Sequence, residues 1–172
     1  MKILIFSDSH NHNANIKKAI DLHPDAKYML HLGDGIADIN NIDTKNMDIF
    51  TVNGNFEDSF LSSYKNGQTT RCIEISGKKL FLCHGHRQFV NAGHQKLIYS
   101  AIEQNADIAL YGHTHCKFNK YFPSENLPFN YDKGLYVFNP GSISRPRDSI
   151  YPSYGIIEIQ ENGILLSHGN II

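Results

Sequence analysis

The sequence is short of cysteine, of long apolar runs and of net charge, and each shortage excludes something. Its three cysteines, Cys72, Cys83 and Cys116, form an odd set with no Cys-x-x-Cys spacing, which fits neither a disulfide framework nor a thiolate zinc site. They are expected as reduced thiols. No run approaches the ~18 apolar residues of a membrane span, and the one that opens the chain is too short for a signal peptide, so the expected location is the cytoplasm. Sixteen Lys and Arg against 17 Asp and Glu leave a net charge of −1. No broad basic field therefore exists to hold nucleic acid or an anionic membrane.

What remains is a chain of globular composition, 41 % hydrophobic with 13 Gly and 6 Pro in 172 residues, of a length that suits one domain over residues 1–172. It is rich in one residue type: ten histidines, dispersed along the chain, of the side chain that most often ligates metals or carries protons.

Short apolar runs recur at residues 2–7 (KILIFS), 28–32 (YMLHL), 48–52 (DIFTV), 79–83 (KLFLC) and 108–111 (IALY). Continuous apolar runs of this length suit strands buried on both faces. Helical patterns lie between some of them: residues 15–22 place Ile16, Ala19 and Ile20 on one face, and residues 93–105 place Leu97, Ile98, Ala101 and Ile102. This alternation predicts βαβ units. Residues 69–75 and 78–83 flank Ser76-Gly77 as a hairpin, and a second hairpin turns at Glu161-Asn162-Gly163. The polar stretch 123–134 reads as a surface loop. The expected architecture is α/β, with two packed sheets and helices outside.

Each apolar run ends in polar residues: Asp8-Ser9-His10, Gly33-Asp34, Gly54-Asn55, His84-Gly85-His86 and Gly112-His113-Thr114-His115. The carboxyl ends of strands are where open α/β sheets place ligands. Singly, Gly-Asp and Gly-Asn are ordinary turn dipeptides; five such features in order, each at a strand end, are not. Carboxylate and carboxamide oxygens mixed with imidazoles, without thiolate, suit divalent Mn, Fe, Zn, Ni or Co rather than Ca.

This ordered set resembles the signature of the calcineurin-like metallophosphoesterases, within which it is most similar to the small bacterial and archaeal YfcE-type phosphodiesterases, also through residues 139–146 (NPGSISRP). The resemblance implies a four-layer αββα sandwich of two mixed β-sheets flanked by helices, with two metal ions, manganese first among them, in a cleft at the strand ends. It implies that Asp8, His10 and His115 hold the first ion, that Asn55, His84 and His113 hold the second, and that Asp34 bridges them. The implied reaction is hydrolysis of a small phosphodiester by a metal-bridging hydroxide. Two ions about 3.5–4 Å apart share a carboxylate and a hydroxide and aim that nucleophile in line with phosphorus. Two divalent ions, two carboxylates and a hydroxide sum to about +1, matched to a monoanionic diester.

One departure from the wider superfamily is Phe56 after Gly54-Asn55, where many members carry a histidine that assists the leaving group. Its absence predicts that activated aryl diesters react far better than alkyl ones. His12 and His86 lie near the motifs, and Arg87, Arg145 and Arg147 are the candidate phosphate contacts. His23, His31, His94 and His168 have no motif context and are expected as structural. Two rival functions follow from the same resemblance: a non-catalytic interaction scaffold of the retromer Vps29 type, and a phosphomonoesterase. A nuclease is disfavoured by the neutral charge, and a homodimer is the default assembly.

Overall fold

The computed structural model describes residues 1–60 and 67–172. Two five-stranded mixed sheets face one another. The first contains β1 (Lys2–Phe6), β2 (Tyr28–His31), β3 (Asp48–Thr51), β9 (Ser153–Gln160) and β10 (Gly163–Asn170), in the order β10-β9-β1-β2-β3. The second contains β4 (Thr70–Ile75), β5 (Lys78–Cys83), β6 (Ile108–Leu110), β7 (Lys117–Phe122) and β8 (Leu135–Pro140), in the order β4-β5-β6-β8-β7. Within each sheet three neighbouring strands are parallel, β1-β2-β3 and β5-β6-β8, and the others pair antiparallel.

The four layers follow from side-chain alternation. Ile3 and Ile5 of β1 point into the core between the sheets with Leu80, Leu82, Ile108 and Leu110 from the facing sheet. Leu4 and Phe6, on the opposite face of β1, pack with Ile16, Ala19 and Ile20 of helix α1 (Asn13–Leu22). On the far side Phe81, Cys83 and Ala109 lie beneath Leu97 and Ala101 of α3 (Gln95–Glu103). Strands covered on both faces need apolar residues at every position, hence the uninterrupted KILIF and IAL runs. The four-layer αββα arrangement expected from the sequence is present.

The differences are local. Strand β7 reads KFNKYF and is an edge strand; its aromatics are interrupted by two lysines and an asparagine and carry no continuous apolar signal, and Lys on an edge discourages further pairing. The NPGSISRP stretch begins inside the sheet, because β8 continues through Asn139 and Pro140, which pairs with Lys117 at the strand's end. At the second hairpin Gly163 pairs with Gln160, so Gly163 belongs to β10 and only Glu161-Asn162 form the turn. A short helix α2 (Asn55–Phe60) follows β3, and a 3-10 turn (Ile36–Ile39) replaces a full crossover helix between β2 and β3.

Candidate metal centre

The carboxyl ends of β1, β2, β3, β5 and β6 meet along one edge of the sandwich. The side chains that gather there are held by an unusual backbone. Asp8, His10, Asp34, His113 and His115 all have left-handed φ, between 45° and 67°. Non-glycine residues in this region cost on the order of 1–3 kcal/mol each, and Asp and His tolerate it better than most. Five strained residues at one strand edge aim their side chains inward rather than along the loops. Two glycines serve a different need, the close approach of neighbouring loops: a Cβ on Gly54 would collide with the Asp34 carboxylate, and one on Gly112 with Ser7 Oγ.

Two sets of donors converge. Asp8, His10 and His115 form one, and Asp8, Asp34 and His84 the other, with their ligand atoms within 4.8 Å of one another in each set. Asp8 Oδ1 lies 3.2 Å from His115 Nε2 and 3.9 Å from His84 Nε2. Asp34 Oδ2 lies 3.5 Å from His84 Nε2 and 4.0 Å from His10 Nε2. Each carboxylate therefore presents one oxygen to both sets. The other oxygen is occupied: Asp8 Oδ2 accepts from Ser7 Oγ (2.6 Å) and His113 N (3.0 Å), and Asp34 Oδ1 accepts from Phe56 N (2.8 Å).

The imidazoles are oriented in the same way. His84 Nδ1 donates to Leu32 O and His115 Nδ1 to Arg145 O, each at 2.7 Å, which turns both Nε2 atoms toward the carboxylates. At the centre Asp8 Oδ1, His84 Nε2 and Asn55 Oδ1 are buried without a hydrogen-bond partner among the described residues. Unpaired buried polar atoms are costly. Three of them converging among oriented imidazoles and carboxylates is the donor chemistry of a divalent transition-metal site, so the residues present fit the implied ions.

Electrostatics agree. Burial pushes the His84 pKa down, but the facing Asp34 carboxylate and the charge of Asp8 overcome it and lift the value to about 9. Burial also opposes ionisation of Asp34, yet His84 and the Phe56 N–H hold it down at about 2. The two carboxylates thus keep their charge and draw a cation to His84: a proton when no metal is present. A metal ion held here would take the place of that proton.

The sequence candidates divide as follows. Asp8, His10, Asp34, His84 and His115 fall within the two sets. His113 belongs to neither set but stands beside the second, its ring 5.1 Å from that of His84. Asn55 brings its unpaired Oδ1, and Asn55, His113, Arg145 and Arg147 line a cleft of about 620 Å³ together with Asn91. His86 and Arg87 do not line it; both engage Asp58, at 3.3 Å and 2.9 Å. His12 is exposed at the start of α1. The histidines without motif context have structural partners: His23 bonds Tyr154, His94 bonds Tyr111, and His168 bonds Asn139 O. His31 is buried and bonded to Ser9 Oγ.

Glu57 is the residue that sequence inspection missed. It is fully buried, and its carboxylate accepts from the backbone N–H groups of Asp34 (2.8 Å), Gly35 (2.6 Å), Ile36 (3.2 Å) and Gly54 (2.8 Å). One side chain thereby clamps the Gly-Asp turn to the Gly-Asn turn. A signal was available: Glu57 is the third residue of α2 and reaches back to the N–H of Gly54, which is half of a capping box.

Comparison with known proteins agrees with this geometry. The calcineurin-like phosphoesterase superfamily domain matches residues 1–162. A phosphodiesterase of Methanocaldococcus jannaschii is 28 % identical, over 94 % of this chain and 95 % of its own. A predicted phosphoesterase of Streptococcus pneumoniae superposes with a TM-score of 0.75 at 26 % identity, covering 98 % of this chain and 88 % of that one. Zinc-complexed Vps29 of Entamoeba histolytica shares the fold, with a TM-score of 0.70 at 21 % identity and 99 % of both chains covered. With its strand-end donors in the superfamily's order and the domain matched over nearly its whole length, the chain belongs to the calcineurin-like phosphoesterase superfamily.

Proposed function

We propose that this chain is a phosphodiesterase that works with two adjacent divalent ions, manganese first among the candidates, on a small phosphodiester. The observation that carries the reading is the shared position of Asp8 Oδ1 and Asp34 Oδ2, each facing both sets of imidazoles. One ion would sit with Asp8, His10 and His115, the second with His84, Asn55 and His113, and Asp34 would reach both. Bound ions supply Lewis acidity toward the phosphoryl oxygens and lower the pKa of water to the neutral range.

The chain's own contribution is orientation. Leu32 O and Arg145 O fix the imidazoles of His84 and His115. The Phe56 N–H and the Glu57 clamp fix the Asp34 turn. Polar lining residues keep the cleft open to an anionic substrate, and Arg145 and Arg147 stand at its side. The Phe56 ring lies edge-on to His10 at 6.2 Å, so that position offers no proton to the leaving group. Activated aryl diesters are accordingly expected to react faster than alkyl diesters by about 10²–10⁴, the usual worth of a general acid.

The test is hydrolysis of bis-p-nitrophenyl phosphate by manganese-loaded protein, with p-nitrophenyl phosphate in parallel. Diester turnover that His84→Ala removes supports the reading. Preference for the monoester makes the chain a phosphomonoesterase, and no turnover of either ester by metal-loaded protein favours an interaction scaffold.

A further inference from the structure

The segment between β8 and β9 is braced against the metal centre at both ends. Ser142 Oγ and Ser144 Oγ each donate to Asp8 O at 2.8 Å, and Ser142 Oγ accepts from Arg145 N at 2.8 Å. Farther along, Arg145 O accepts from His115 Nδ1 at 2.7 Å and Arg147 N donates to His115 O at 3.0 Å. Serine hydroxyls, the His115 imidazole and main-chain groups make these bonds, and the two arginines contribute only main-chain atoms. The guanidiniums of Arg145 and Arg147 take no part in the brace, yet both residues line the cleft beside His10 and His115.

Neither arginine makes an ion pair among the described residues. The adjacent carboxylate, Asp148, is engaged elsewhere, accepting from Lys117 N at 2.7 Å and lying 3.9 Å from Lys117 Nζ. The cleft thus has two guanidiniums without an ion pair among the described residues on a braced segment, next to a centre that would carry about +1 with two divalent ions, two carboxylates and a hydroxide. A monoanionic diester would match that charge and bring no second charge for the guanidiniums. A phosphate monoester carries about −1.5 to −2 at neutral pH, and the planar fork of arginine suits it geometrically. Among the described residues the lining includes no Phe or Tyr to stack a base or aryl group, and its 620 Å³ is in the range that holds a whole small ligand rather than a lone phosphate.

We propose that Arg145 and Arg147 form a second anion subsite, so that the preferred substrates are small phosphodiesters bearing an additional, unesterified phosphate. The proposal rests on the phosphodiesterase reading and deepens it. The brace runs through main-chain atoms, so exchanging the arginine side chains leaves it in place.

The test compares two substrates that differ by one phosphate: the p-nitrophenyl ester of thymidine 5′-phosphate and the same ester with a 3′-phosphate. Manganese-loaded protein is expected to show a kcat/KM about tenfold or more in favour of the 3′-phosphorylated ester, and Arg145→Gln/Arg147→Gln to bring the ratio close to one. Calorimetry supplies a second readout, with thymidine 3′,5′-bisphosphate expected to bind more tightly than thymidine 5′-phosphate in the parent protein but not in the double variant. Equal kcat/KM for both esters, or a preference that survives the double substitution, overturns the subsite and leaves the phosphodiesterase reading standing. If neither ester is hydrolysed, that reading has failed, and calorimetry alone decides the subsite: a bisphosphate preference lost in the double variant supports it, and equal binding overturns it.

Discussion

The core between the sheets and the rim at their carboxyl ends are built by opposite rules from the same strands. In the core Ile5, Leu30, Leu82 and Leu110 are fully buried on strands of regular geometry. The rim follows just beyond the strand ends. There Asp8, Asp34, His113 and His115 take left-handed φ values, and Asp8 Oδ1, Asn55 Oδ1 and His84 Nε2 are buried without hydrogen-bond partners among the described residues. The core lowers the free energy of the fold, and the rim raises it. A strained, under-bonded rim persists because the rigid strands beneath it over-determine its conformation and because a cation relieves its electrostatics. Function in this chain sits where local structure is least favourable on its own terms.

If the two regions are separable, substitutions should split cleanly between them. The largest effect is expected from Asp8→Asn, which removes the carboxylate shared by both donor sets. Diester hydrolysis should fall by more than about a hundredfold while the variant stays folded, as checked by kinetics and thermal unfolding on the same preparation; a variant that unfolds instead would tie the rim to stability. Leu82→Ala should do the reverse. It is expected to cost about 2–5 kcal/mol in denaturant unfolding while the folded fraction keeps its metal content.

Glu57 bridges the two regions and sharpens the division. Glu57→Gln offers one carbonyl oxygen, and an amide that is itself a donor, to four N–H groups served by a carboxylate. We expect a loss of about 1.5–3 kcal/mol in stability together with a drop of about 10–100-fold in metal affinity, both measurable by calorimetry. A loss of stability with unchanged metal affinity would make the clamp merely structural.

The last effect concerns pH and leaves the metal centre untouched. Burial holds the His31 pKa at about 4, below its unfolded value of about 6.5. The unfolded chain therefore takes up a proton that the folded chain refuses. The stability this neutral ring contributes is fully present above pH 6.5 and is lost as pH falls toward 4, by on the order of 3 kcal/mol across the window. Against His31→Gln, the parent protein's stability should decline more steeply between those two values; parallel curves would show that His31 does not titrate on unfolding.

Much of this was legible in the sequence, for a physical reason. Strands β1, β2, β5 and β6 are covered on both faces, so their apolar runs are unbroken, and the metal donors follow them directly because parallel strands end at a common edge. Strand β7 was not legible because it lies at the sheet edge, where Lys117, Asn119 and Lys120 break up its aromatics. Strand β8 was obscured by Asn139-Pro140, which reads as a turn although the pair still lies in the sheet. The long-range bonds of the Glu57 clamp, beyond its local cap of Gly54 N, and the serine brace to Asp8 O were invisible for another reason. They join residues 21–23 and 134–136 positions apart, and a single sequence does not record which distant N–H a carboxylate will find. The sequence also treated Arg87 and Arg145 alike, whereas the fold engages one with Asp58 and lines the cleft with the other.

The central claim is that Asp8 and Asp34 stand between two adjacent cation positions. Anomalous scattering from a crystal of manganese-loaded protein tests it most directly. Two peaks about 3.5–4 Å apart, one beside His10 and His115 and the other beside His84 and Asn55, are the predicted result. A single peak, or none at this edge of the sandwich, would contradict it.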